Sequence, residues 1–184
     1  VSSTLASSAA ASDAGGKRAF EIADYYRTAM VGAPTVSADG SKVAFPVTRY
    51  ELEAGESWSE IWMMEADGSD LRQMTCGRHH DSSPLFSPDG KNLLFVSDRG
   101  EGSQLYLMAI DGGEARRLTD YPMGLAGPVW SPDGRFLAVQ AEVFPDCGYD
   151  ADGNKTIADS VAAGPLMARM TDELLYRHWT AWRD

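Results

Sequence analysis

Residues 86–91 are FSPDGK and residues 130–135 are WSPDGR, the same turn written twice, 44 positions apart. A weaker copy, VSADGS, occupies 36–41, with Ala38 in place of the proline. The flanks repeat with the turns. PLFSPDGKNLLFVS (84–97) and then QLYLMAIDGGEARRLT (104–119) match PTVSADGSKVAFPVT (34–48) and then EIWMMEADGSDLRQMT (60–75). A third unit begins PVWSPDGRFLAVQA (128–141). Trp62 corresponds to Tyr106, Asp67-Gly68 to Asp111-Gly112 and Thr75 to Thr119, each 44 residues on. A period of about 40–50 residues marks stacked or radial units, so it constrains the fold more than any other feature.

Each unit has a physical reading. In Ser-Pro-Asp-Gly the proline presets the first corner, the aspartate bonds its own backbone and the glycine accepts positive φ. The segments that follow, KVAFPVT, NLLFVS and FLAVQA, are short and apolar, as strands buried on both faces are. Next come IWMM or LYLM, an Asp-Gly hairpin and a polar strand ending in Met-Thr or Leu-Thr. Four antiparallel strands of this kind make one blade of a β-propeller. The first unit carries a six-residue excess around TRYELEAGESWSE, expected to form a loop.

The expected fold is therefore all-β: a partial propeller of about three four-stranded blades, the third interrupted. A flexible Ala/Ser-rich tail (1–16) precedes a short helix and lead-in (17–33), with Phe20, Ala23, Tyr26 and Met30 on one side of that helix. Blade 1 then spans 34–77 and blade 2 spans 78–121, and 122–184 starts blade 3 with a loop-and-helix insertion. Within the insertion, 142–165 is turn-rich and LMARMTDELLYRHWTAWRD (166–184) has helical spacing. Two full units and a third that does not return leave packing faces open, so the chain is expected to be part of a larger ring.

Composition narrows the function. The net charge is -11 and the pI near 4.6, with no cluster of Lys and Arg larger than a pair. Nucleic-acid and anionic-membrane binding both need a basic patch, so neither is expected, and cationic or amine-bearing ligands are favoured. No apolar run approaches the ~20 residues of a spanning helix. VSSTLASSAAASDAGG resembles the small-residue region around a signal-peptide cleavage site, which suggests a periplasmic or secreted protein, with the cytoplasm as the alternative. Cys76 and Cys147 lack metal spacing and are expected to be buried free thiols, a long-range disulfide being the alternative. His79-His80 is expected in a solvated loop rather than as a metal ligand pair, and no cofactor or metal is expected.

With its aromatic-SPDG, apolar strand, aromatic strand, DGG turn and RLT, the unit resembles the PD40 (TolB-type) propeller repeat. A sharper resemblance runs from about residue 20 to 184. The short helix, VGAP with VS-DG and KVAF, the two PD40 blades, SPDGRFLAV, EVFPD and LLYRHWTAWRD follow one order. That order resembles the propeller region of the S9 (prolyl oligopeptidase) serine peptidases, in the dipeptidyl-peptidase V and acylaminoacyl-peptidase group. The resemblance implies partners: the remaining blades, an α/β-hydrolase domain with a Ser-Asp-His triad, and a peptide substrate. A homo-oligomer is a further arrangement open to it.

A nucleophile elbow needs Gly-x-Ser-x-Gly. The nearest approach, Gly55-Glu-Ser57-Trp-Ser59, fails at its last position, so no catalytic residue is assigned. His178 is read as packing or interface, and Trp179 and Trp182 as docking residues. The resemblance implies that a propeller carboxylate holds the free α-amino group of the peptide. Glu142, where the chain leaves the third unit, is the first candidate for that role, and Glu173 the weaker one. A charge-assisted bond to ammonium would select amino-terminal dipeptides. An acylaminoacyl-peptidase of the same family and a non-catalytic TolB-like binding module are the alternatives. Asn154-Lys155-Thr156 also fits a glycosylation sequon.

Overall fold

The computed structural model describes residues 18–164 and the backbone of 176–178 and 181–183. Helix α1 (Ile22–Arg27) leads into blade 1, built from β1 (Met30–Val31), β2 (Thr35–Val36), β3 (Lys42–Glu51), β4 (Glu56–Glu65) and β5 (Arg72–Gln73). Strands β1 and β2 both pair with the same edge of β3, so together they form one interrupted innermost strand. Blade 2 contains β6 (Ser82–Phe86), β7 (Asn92–Gly100), β8 (Gly102–Ala109) and β9 (Arg116–Arg117) in that order, all antiparallel. Blade 3 begins with β10 (Ala126–Trp130) paired to β11 (Leu137–Gln140). Helix α2 (Ala151–Ala162) follows, then a short antiparallel hairpin of β12 (Tyr176–His178) and β13 (Ala181–Arg183).

The repeated turns are built alike. Ser37, Ser87 and Ser131 each donate their hydroxyl to the aspartate two residues on, at 2.6, 2.5 and 2.6 Å. Each hydroxyl also accepts the main-chain N–H of the residue five positions on, Lys42, Asn92 or Phe136, at 2.9, 3.0 and 2.9 Å. The VSADGS copy makes the same bonds with Ala38. Serine, aspartate and glycine carry this turn, and the proline only presets it.

The core lies between blades. Strand β7 alternates: Leu93 and Phe95 face blade 1 and pack with Ala44, Ile61 and Met63, while Leu94 and Val96 face blade 3 and meet Trp130 and Leu137. Phe95 stacks on its cross-strand partner Tyr106 with centroids 5.9 Å apart. Among the three apolar segments only NLLFVS is buried on both faces. KVAFPVT is partly buried and β11 is largely exposed, because each has a described neighbour blade on one side only.

Four local expectations change. The excess in the first unit is not a loop: β3 and β4 are ten residues each and pair without interruption to Glu51 opposite Glu56. Phe20 precedes α1 and is exposed, and Met30 opens β1, so of the four residues assigned to one helical side only Ala23 and Tyr26 face inward on the helix. The insertion helix occupies 151–162, inside the stretch expected to be turns. Within 166–184 the described backbone is the β12–β13 hairpin, consistent with the extended preference of Tyr176 and Trp182, and the rest lies outside the described residues.

Candidate functional site

Antiparallel blades put the SPDG and Asp-Gly turns on one rim and the β3–β4 and β7–β8 hairpins on the other. Blades 2 and 3 part on that second rim. A cleft of about 510 Å³ opens there between Ser103 at the start of β8, Met123–Ala126 where the inter-blade link enters β10, and Gln140–Glu142 at the end of β11. A second cleft, about 790 Å³, lies against Tyr121, Val139, Val143 and Tyr149. Both share Leu125, Gln140 and Ala141, so they form one trough across the end of β11.

The trough has a rigid back wall. Gln104 is fully buried and uses its whole amide: it donates to the Tyr121 carbonyl at 2.6 Å and accepts from Thr119 Oγ1 and the Tyr121 N–H at 2.9 and 3.1 Å. Thr119 Oγ1 in turn accepts the Leu105 N–H at 2.9 Å, as Thr75 does for Ile61 in blade 1. The link closes on β8 through Leu125 N–H to Ser103 O, 2.7 Å. Gly124 (φ 78°) is needed there, because a Cβ would stand 3.2 Å from the Ser103 nitrogen. Beyond it, a bulge between Ala126 and Val129 bends β10.

Glu142 sits exposed on the lip of the smaller cleft. Asp120, paired with Arg117, lines the larger one, whose other wall is apolar. The Tyr121 hydroxyl is buried without a hydrogen-bond partner among the described residues. The trough thus offers a carboxylate beside an apolar surface, suited to an ammonium group carried next to a hydrocarbon side chain. Tyr121, Tyr149 and the back wall escaped sequence reading; the paired glycines of DYPMGLAG were the only local sign of a close approach.

Glu173 and Trp179 lie outside the described residues, and His178 and Trp182 are described as backbone within β12 and β13. No group of three or more His, Cys, Asp or Glu able to hold a metal occurs among the described residues. His80 lies exposed in the link between blades 1 and 2, with its ring and main chain bonded to Asp98. Both cysteines are free, and Cys76 is exposed rather than buried. Asn154 is fully buried, accepting the Phe144 N–H at 2.6 Å and donating to the Gly148 and Asp150 carbonyls at 2.9 and 2.7 Å. Its amide is therefore unavailable to a glycosyl donor in the folded protein.

A family model, the TolB β-propeller domain (PD40), matches residues 18–146. The peptidase YuxL of Bacillus subtilis, itself uncharacterized, is 36% identical over 80 residues, which are 42% of this chain and 12% of that protein. Among solved structures, TolB from Acinetobacter baumannii is 31% identical over 59% of this chain and 26% of its own, with a TM-score of 0.47. The acylaminoacyl peptidase of Pyrococcus horikoshii is 19% identical over 66% of this chain and 20% of its own, with a TM-score of 0.54, a likeness of fold. The chain thus spans a small fraction of the length of each of these proteins.

Proposed function

Because the chain belongs to the TolB β-propeller (PD40) family and is similar to a peptidase, we propose that it is the N-terminal propeller portion of an S9 serine exopeptidase. The propeller restricts access to short peptides, and a hydrolase domain supplies the acyl-enzyme chemistry. The observation that carries the reading is Glu142 on the lip of the blade 2–blade 3 trough, beside the wall of Leu125, Val139 and Val143. There the carboxylate binds the free α-ammonium of the substrate, the apolar wall takes the first side chain, and N-terminal dipeptides are released. An extracytoplasmic location, suggested by the Ala/Ser-rich residues 1–16, is part of the same proposal.

The apolar character of the larger cleft also favours a second reading, in which an uncharged acylated terminus occupies the trough and the enzyme is an acylaminoacyl-peptidase. The full-length protein assayed on fluorogenic dipeptidyl and N-acetyl-aminoacyl substrates separates the two. In the dipeptidyl reading, Glu142→Gln lowers kcat/KM for the free-amine substrate by about 10- to 100-fold, the worth of one charge-assisted bond. Equal kinetics of wild type and variant on both substrates would remove Glu142 from the mechanism. Loss of every peptidase activity from the wild type, with retained binding, would leave a TolB-like binding module.

A further inference from the structure

The ten-residue strands of blade 1 carry Ser57, opposite Tyr50, almost to the tip of the β3–β4 hairpin. The link from blade 1 to blade 2 crosses the free edge of β4 there. Ser59 N–H donates to His79 O at 2.9 Å, Asp81 N–H to Ser59 O at 3.0 Å, and Ser59 Oγ to Asp81 O at 2.9 Å. These bonds fix the backbone on both sides of His80. Asp98, in β7 of blade 2, then grips the histidine twice: Oδ1 accepts its main-chain N–H at 2.7 Å and Oδ2 lies 2.9 Å from Nδ1. An ionised carboxylate only accepts, so Nδ1 carries the proton and Nε2 presents its lone pair. Ser57 Oγ is 3.3 Å from that Nε2.

We propose that Ser57, His80 and Asp98 form a nucleophilic serine site at the blade 1–blade 2 junction, able to accept an acyl group from an activated ester. The constellation meets the geometric requirement for an activated nucleophile: a base within reach of the hydroxyl, oriented by a third group. Burial works against ionisation of Asp98, but hydrogen bonds from the His80 main chain and ring prevail and hold its carboxyl below the usual range. It therefore stabilises the imidazolium that forms. In the step itself the Ser57 Oγ–H proton passes to His80 Nε2 as Oγ bonds the ester carbonyl carbon. The bond to the alkoxide or phenolate breaks, that group leaves with its electron pair, and the imidazolium returns its proton to water. Residue alternation along β4 aims the Ser57 N–H at the same open edge as the Ser59 N–H, where it can meet the developing oxyanion. One such donor supports stoichiometric acylation rather than rapid turnover. The proposal does not depend on the peptidase reading.

The probe is p-nitrophenyl acetate on the 184-residue chain, with the acetyl group located by tandem mass spectrometry on the peptide between Arg49 and Arg72. The expected result is a burst of about one equivalent of nitrophenolate and acetylation at Ser57. Ser57→Ala abolishes it, and His80→Gln and Asp98→Asn each slow it at least about tenfold while their thermal melts remain cooperative. Ser69→Ala, in an exposed turn, leaves it unchanged. Acetylation spread over many serines, or a Ser57 rate indifferent to Asp98→Asn in a folded variant, would overturn the proposal and leave an inter-blade clasp.

Discussion

At the scale of single residues, the repeated turn makes a testable link to pH. The Ser37 hydroxyl, then the N–H and hydroxyl of Ser41, hold the Asp39 carboxyl down at about 2. Asp89 and Asp133 are lowered for the same reason, their serine hydroxyls first and the following main-chain N–H next. A carboxyl depressed on folding stabilises the folded state fully above its unfolded pKa, near 3.9, and loses that contribution as pH falls through the folded value. The melting temperature is expected to fall between about pH 4 and pH 2, and the triple variant Asp39→Asn, Asp89→Asn, Asp133→Asn to melt lower at pH 7 with a flatter acid limb. These turns are solvent-exposed, so the slope is shallow. Asn154 acts by burial instead. Asn154→Ala strands the Phe144 N–H and the Gly148 carbonyl inside the 144–154 corner and is expected to cost about 1–3 kcal/mol in urea titrations, with α2 losing hydrogen-exchange protection first.

At the scale of elements, blade 2 is braced from within by an ion pair that fixes the link entering β6 to β7. Asp81, 1% exposed, receives Arg99 on both oxygens at 3.0 and 2.8 Å. The same guanidinium also donates Nε–H to Ser97 Oγ at 2.9 Å and lies over the Phe95 and Tyr106 rings at 5.2 and 4.9 Å. Asp81→Ala leaves that cation without its counter-charge and is expected to destabilise the chain by about 3–5 kcal/mol by chemical denaturation. Arg99→Lys keeps the charge but not the planar fork or the ring stacking, so it is expected to fall between wild type and Asp81→Ala. The elements also show where local sequence misleads. DADGNKTIADSVAA contains glycine and asparagine, poor helix formers, yet forms α2, because the buried Asn154 anchors its first turn. TRYELEAGESWSE looks like a loop, yet strand pairing extends through it, since a strand continues as long as its partner does.

At the scale of the whole chain, stability is expected to grade along the blades. Only blade 2 has a described blade on each side, with Leu93, Leu94 and Phe95 fully buried. Val129, Phe136 and Val139 of blade 3 are exposed. In stacked repeats each unit is stabilised by its neighbours. Amide hydrogen exchange of the 184-residue chain is therefore expected to be slowest in β7 and β8 and fastest in β10 and β11. Equal protection of all three blades would mean that the inter-blade faces contribute little.

The sequence by itself determined the turns, the blade pattern and the core strand NLLFVS, because each rests on neighbours a few residues apart or on a period visible in the letters. It also marked Glu142 as the residue where the third unit is left. Tertiary structure alone decided the trough beside Glu142, whose wall joins Ser103, Tyr121 and Val139 from separate strands and links. It alone brought Ser57, His80 and Asp98 together from positions 57, 80 and 98. The physical reason is common to both: a site spanning two blades depends on how far each hairpin projects and where the link crosses it. Those distances are set by strand pairing and inter-blade packing, not by the local chemistry of any one segment.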